Sequence, residues 1–153
     1  MTAKTPLFTI GYEQAKPAAV LDELSRAKVD VLVDVRAVAA SRKPGFSKRQ
    51  LAAALDERGI AYLHLQKLGT PKEGRLAARA GDIEALWRIY DVHVKTAEAQ
   101  EELEQLLALV KSGKRACLLC YERDPNQCHR TRIVALVKAR ARVEVEDLMA
   151  PLF

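Results

Sequence analysis

At 153 residues, 49% apolar and 29% charged, the chain has the make-up of an ordinary globular protein, and a single domain over residues 1–153 is expected. No apolar run approaches the roughly 20 residues that span a bilayer, and the opening residues do not read as a secretion signal. A cytoplasmic protein with no membrane partner is expected. The net charge of +5 suits an anionic partner, either a phosphate-bearing small molecule or a nucleic acid, although a merely basic surface would give the same total.

Leu7–Ile10 reads as a first strand ending at Gly11. Pro17 suits a first helical turn, after which Val20, Leu21, Leu24 and Ala27 share one face. Val29–Val35 is β-branched and apolar, as in a buried central strand. Ser47 with Gln50 forms the pattern of a capping box, Phe46 with Leu51 that of a hydrophobic staple, and Gly59 ends that helix. Ile60–Leu65 is a third strand.

From Gln66 to Gly81 the periodicity dissolves. Three glycines, Pro71, Lys67, Lys72, Arg75 and Arg79 suggest either a mobile lid or a plain surface loop with a helical turn in it. Asp82 caps a helix carrying Leu86 and Tyr90. Leu103, Leu106, Leu107 and Val110 mark another helical run, and a break or a kink near Thr96 is left open. Ala116–Tyr121 is an apolar strand, Asp124-Pro125 opens a helix with Ile133 and Val137 buried, and Arg142–Asp147 is a last strand.

This alternation predicts an α/β fold, a three-layer α/β/α sandwich with a mostly parallel sheet of about five strands. Ligands of such open sheets bind in the crevice beyond the carboxyl ends of the strands. The chemically versatile residues cluster there. Gly11 and Tyr12 follow the first strand, and Asp34, Arg36, Ser41 and Arg42 follow the second. Cys120 and Glu122 end the fourth, ahead of Cys128, His129 and Arg130. Arginine's planar fork suits phosphate, so Gly11, Tyr12, Asp34, Arg36, Ser41, Arg42 and Arg130 are the candidate substrate-binding set. Cys120, Glu122, Cys128 and His129 are the candidate catalytic set. Asp34 either orients an arginine or closes a buried ion pair. Glu122 is either a general base or a partner for a cation.

Cys117, Cys120 and Cys128 fall within 12 residues, an odd, clustered set that argues for a local site rather than a disulfide framework. Zinc is disfavoured because strand neighbours alternate, so Cys117 and Cys120 should face opposite sides of the sheet. No metal and no cofactor are expected. With Asp124 as cap, Cys128 would lie in a helix's opening turn, where the dipole and nearby arginines favour a thiolate, or else it packs beneath that helix.

Four blocks carry a resemblance. TIGYE (9–13), LVDVRAVAASRKPGFSKRQL (32–51), GIAYLHLQKLGTP (59–71) and LLCYERDPNQCHR (118–130) follow the order and spacing of the family called domain of unknown function 488, which the chain resembles over most of its length. The resemblance implies a three-layer α/β fold. It also implies a site at Gly11, Asp34, Arg36, Ser41, Arg42, Cys120, Glu122, Cys128, His129 and Arg130, but no reaction. Gln14 and Thr70 stand where glycines are often found, Glu146-Asp147 replaces a histidine, and Cys117 is not part of the pattern. A fainter likeness to the rhodanese-like arrangement fails, because Tyr121-Glu122-Arg123-Asp124 follows Cys120 where a cradle of small residues is needed.

Three functions compete: an enzyme acting on an anionic, phosphate-bearing substrate; a non-catalytic nucleotide- or nucleic-acid-binding module; and a basic face for an acidic protein. Few aromatic residues and no standard reader motif weaken the nucleic-acid version.

Overall fold

The structure, a computed structural model, describes residues 4–152. Its strands are β1 (Thr5–Gly11), β2 (Val31–Asp34), β3 (Ala61–His64), β4 (Ala116–Cys120) and β5 (Val143–Leu148). Its helices are α1 (Pro17–Arg26), α2 (Lys48–Glu57), α3 (Lys72–Arg79), α4 (Ile83–His93), α5 (Ala97–Lys111) and α6 (Arg130–Lys138). The sheet is entirely parallel, in the order β3-β2-β4-β1-β5. The expected three-layer α/β architecture is therefore correct.

Side-chain alternation divides the core in two. Val31, Val33, Ala116 and Leu118 point toward α4, α5 and α6, packing with Tyr90, Leu106 and Ile133. Phe8, Ile10, Leu32 and Leu119 point toward α1 and α2, packing with Val20, Leu24 and Leu55. The connections leaving β1 and β2 thus cross one face, while those leaving β3 and β4 cross the other. At its carboxyl end β4 departs over the face opposite to both of its neighbours, β1 and β2. This divergence opens a crevice on either side of β4, the place where open α/β sheets bind ligands.

Several local expectations are corrected. Ser47 is the N-cap of α2 but makes no capping bond. Its hydroxyl donates to the Ser41 carbonyl (3.2 Å) and accepts from the Ser41 amide (3.1 Å), while Gln50 accepts from Gly45. The capping-box residues have been recruited to fold the 41–47 loop. The staple survives, with Phe46 and Leu51 buried in one cluster. Thr96 separates two helices, its side chain accepting from the Ala99 amide at the start of α5.

The 66–81 stretch is not a loop. A short 3-10 turn, Gln66–Leu68, leads into α3, which packs on α4 so closely that a Cβ on Gly74 would come within 3.4 Å of Ile89 Cγ2. Sequence periodicity misses α3 because its buried position is Gly74, while its one large apolar side chain, Leu76, is exposed. Two of the departures from the family pattern, at Gln14 and Thr70, have local accommodations. Gln14 takes φ +62°, a left-handed conformation that favours glycine, and Thr70 is buried, its methyl group filling space beside Gly74.

Candidate functional site

A cavity of about 800 Å³ opens at the carboxyl ends of β1, β2 and β4. Tyr12, Arg36, Ser41, Arg42, Cys120, Glu122, Cys128 and His129 line it, and all eight were picked out by the sequence. Thr70, Arg75, Arg79, Tyr121 and Gln127 line it as well. Gly11, Asp34 and Arg130 are not among the lining residues. The sequence signal for Arg75 and Arg79 was the basic character of the 66–81 stretch; that α3 forms a cavity wall was not visible.

Extensions of the sheet hold the floor in place. The Val35 amide donates to Leu119 O (3.1 Å), and the Tyr12 and Glu13 amides donate to Cys120 O (3.3 Å) and Tyr121 O (2.8 Å). Gly11 lies beneath, where β1 and the Glu122 backbone pass too close for any side chain.

Arg36 is 5% exposed and forms a two-point ion pair with Asp34, which is fully buried (Nε–Oδ1 2.8 Å, Nη2–Oδ2 2.7 Å). Its Nη1 donates to Phe46 O (2.7 Å) and Tyr12 Oη (3.2 Å), and Tyr62 donates to Asp34 Oδ2 (2.5 Å). The carboxylate and the hydrogen bonds outweigh burial and raise the Arg36 pKa further. Asp34 thus closes an ion pair, and Arg36, expected as an anion clamp, has its charge neutralised and ties β2 to the 36–47 loop.

Arg130 also differs from expectation. It is 1% exposed, with Nη2 donating to Arg123 O (3.0 Å) while Nε and Nη1 have no partner. Burial lowers its pKa, and Asp147 and Glu122 only partly offset that. The cations at the cavity are instead Arg42 and Arg79, both exposed, and Arg75, which donates to Thr70 O (2.9 Å).

Glu122 faces this rim. Burial raises its pKa above the usual carboxylate range and Glu13 adds to the effect, while Arg130 and Arg79 oppose it. Tyr121 stands edge-on to Tyr12, which stacks on Phe46.

Cys117 and Cys120 lie on opposite faces of the sheet, as alternation requires. Contrary to the expectation of unpaired thiols, Cys120 and Cys128 are joined as a disulfide. Cys128 is not in a helical turn either. Asp124 caps a 3-10 turn, Pro125–Gln127, after which Cys128 is extended (φ −136°, ψ 145°) and α6 begins only at Arg130. The dipole argument for a Cys128 thiolate therefore does not apply.

His129 is 8% exposed. Its Nε2 donates to Val35 O (2.7 Å), which leaves the Nδ1 lone pair 3.6 Å from Cys128 Sγ. Burial lowers its pKa to about 4 from 6.5, the Val35 bond and Asp34 opposing and Arg130 reinforcing the shift. Below 6.5 the unfolded chain binds the proton that the folded chain refuses until about 4, so stability falls as pH drops through that window. Urea unfolding should show a loss of up to about 3 kcal/mol across the window, and the His129→Gln protein should lack that component.

A parallel α/β sheet with a cationic crevice at its strand ends, floored in part by the Cys120–Cys128 pair, defines the class, a three-layer α/β protein with a strand-end pocket. The chain belongs to the family described as Domain of unknown function DUF488, whose model matches residues 16–137. Comparison with curated proteins and with solved structures finds no match. Among the described residues, no helix is long and apolar enough to cross a membrane.

Proposed function

We propose that the protein is a cytoplasmic enzyme acting on a small, phosphate-bearing anion bound in the strand-end cavity. The observation that carries this reading is the convergence of Arg42, Arg75 and Arg79 over a floor containing Glu122, His129, Cys120 and Cys128. A volume of about 800 Å³ falls within the range of small-molecule sites and favours a compact ligand over a nucleic-acid strand. Arginine forks bind phosphate oxygens, and the exposed ring of Tyr121 offers a flat apolar face beside them. Glu122, its pKa raised by burial, is the carboxyl group in the cavity placed to act as a general acid or base. In a reducing cytoplasm Cys120 and Cys128 would be thiols, completing the floor.

Calorimetric titration of the reduced protein with a nucleoside diphosphate and with inorganic phosphate tests the reading. Arg42→Ala and Arg79→Ala should each weaken binding by about tenfold or more, the usual loss for one charge-assisted hydrogen bond. Glu122→Gln should keep affinity and lose turnover of the compound that binds. Equal affinity in wild type and both arginine variants would remove the anion assignment.

A further inference from the structure

We propose that the reduced chain holds a zinc ion through Cys120 Sγ, Cys128 Sγ and His129 Nδ1, with a fourth position open to the cavity. The inference rests on the reading above only in placing that open position where the anion would lie; the site itself stands on its own geometry.

The three donor atoms lie within 4.8 Å of one another. A tetrahedral zinc with bonds of about 2.3 Å to sulfur and 2.0–2.1 Å to nitrogen sets those ligands about 3.6 Å apart. Cys128 Sγ and His129 Nδ1 are already separated by 3.6 Å. The Cα atoms of Cys120 and Cys128 stand 7.6 Å apart, wider than the roughly 4.4–6.8 Å usual for a disulfide, so an ion fits between the two sulfurs once they are thiolates.

The imidazole is oriented as a metal ligand requires. Its Nε2 proton is held by a backbone carbonyl, Val35 O, which fixes the ring and leaves Nδ1 as the donor. Charge points the same way. Cys120 and Cys128 are 1% and 2% exposed, and two buried thiolates without a counter-ion are costly. A dication cancels both charges, and thiolate with imidazole is a donor set that selects zinc over magnesium or calcium.

Three protein ligands with one side open to a cavity is the pattern of a zinc ion that binds substrate or water rather than one that only braces a fold. The cysteine pair discounted from sequence was Cys117 with Cys120. Cys117 is on the far face of the sheet and takes no part. Disulfide and metal site are alternative states of one pair, since sulfurs joined to each other carry no thiolate charge.

The test uses the full chain, reduced with a phosphine, stripped by chelator and titrated with cobalt(II), then with zinc in competition. One cobalt per chain should bind, with a thiolate-to-cobalt charge-transfer band and the visible bands of a tetrahedral ion. Cys120→Ser, Cys128→Ser and His129→Gln should each lose those bands and weaken zinc binding by more than about 100-fold, since even an outer-shell change costs 10–100-fold. Cys117→Ala should bind like wild type, and the oxidised chain should bind none. Absence of the bands in the reduced wild type overturns the proposal, as does their persistence in all three ligand variants. Cobalt uptake without nucleoside diphosphate or phosphate binding would uphold the metal and sink the anion reading. Anion binding to a metal-free protein that takes up no cobalt would do the reverse.

Discussion

Asp34→Asn should destabilise the protein by about 3–5 kcal/mol, measured by urea unfolding at neutral pH. The cost comes from what is left behind. Asp34 is fully buried and accepts from Arg36 Nε and Nη2, from the Arg36 amide and from Tyr62. Without that charge, a guanidinium 5% exposed to solvent keeps only neutral acceptors, the amide oxygen of the new side chain, Phe46 O and Tyr12 Oη, and one of its nitrogens faces an amide NH2 in place of a carboxylate oxygen. A double variant, Asp34→Leu with Arg36→Met, should lose less than the single one, because removing both members of a buried pair abandons no charge. A loss below about 1 kcal/mol in Asp34→Asn would show that water reaches the guanidinium and that the pair is not a structural tie. Function should follow stability here, since Arg36 fastens the loop that carries Ser41 and Arg42 to the cavity rim.

Gly11→Ala should cost about 3 kcal/mol or more, at the severe end for an added methyl group. A Cβ there would sit 2.5 Å from the carbonyl carbon of Glu122 and nearer still to its oxygen. The obstacle is backbone, and it cannot retreat without breaking the bonds from Tyr12 and Glu13 to the β4 end. The gain of 0.4–1 kcal/mol from a less flexible unfolded chain is too small to compensate. Because the same movement displaces Glu122, phosphate affinity and stability should fall together; near-wild-type stability would mean that β1 and the 121–123 segment can separate freely. Gly11 therefore serves the site by letting two strands close, which explains why it belongs to the motif without lining the cavity.

Much of this architecture is legible in the chain. Short, continuous apolar runs such as Val31–Asp34 and Ala116–Cys120, buried on both faces, are those of strands inside a parallel sheet, and the apolar stripe of α5 packs against that sheet. Alternation then implies parallel pairing, and parallel pairing places the strand ends, with Tyr12, Arg36, Cys120 and Glu122, on one edge. What local pattern misses is local structure made by small residues or by competing hydrogen bonds. α3 presents Gly74 to α4, and Ser47 gives its hydroxyl to Ser41 instead of its own helix.

The sequence by itself determined the fold class and the neighbourhood of the site, because hydrophobic periodicity and strand order are properties of residue spacing. Only the tertiary structure decided which arginines stay available, since the ion pair of Arg36 with Asp34 and the burial of Arg130 against the Arg123 carbonyl are contacts set by the folded backbone. It also decided that Cys128 and His129 converge with Cys120 while Cys117 turns away. The spacing of the three cysteines permits several groupings, and the pleat of β4 with the extended backbone at Cys128 selects one.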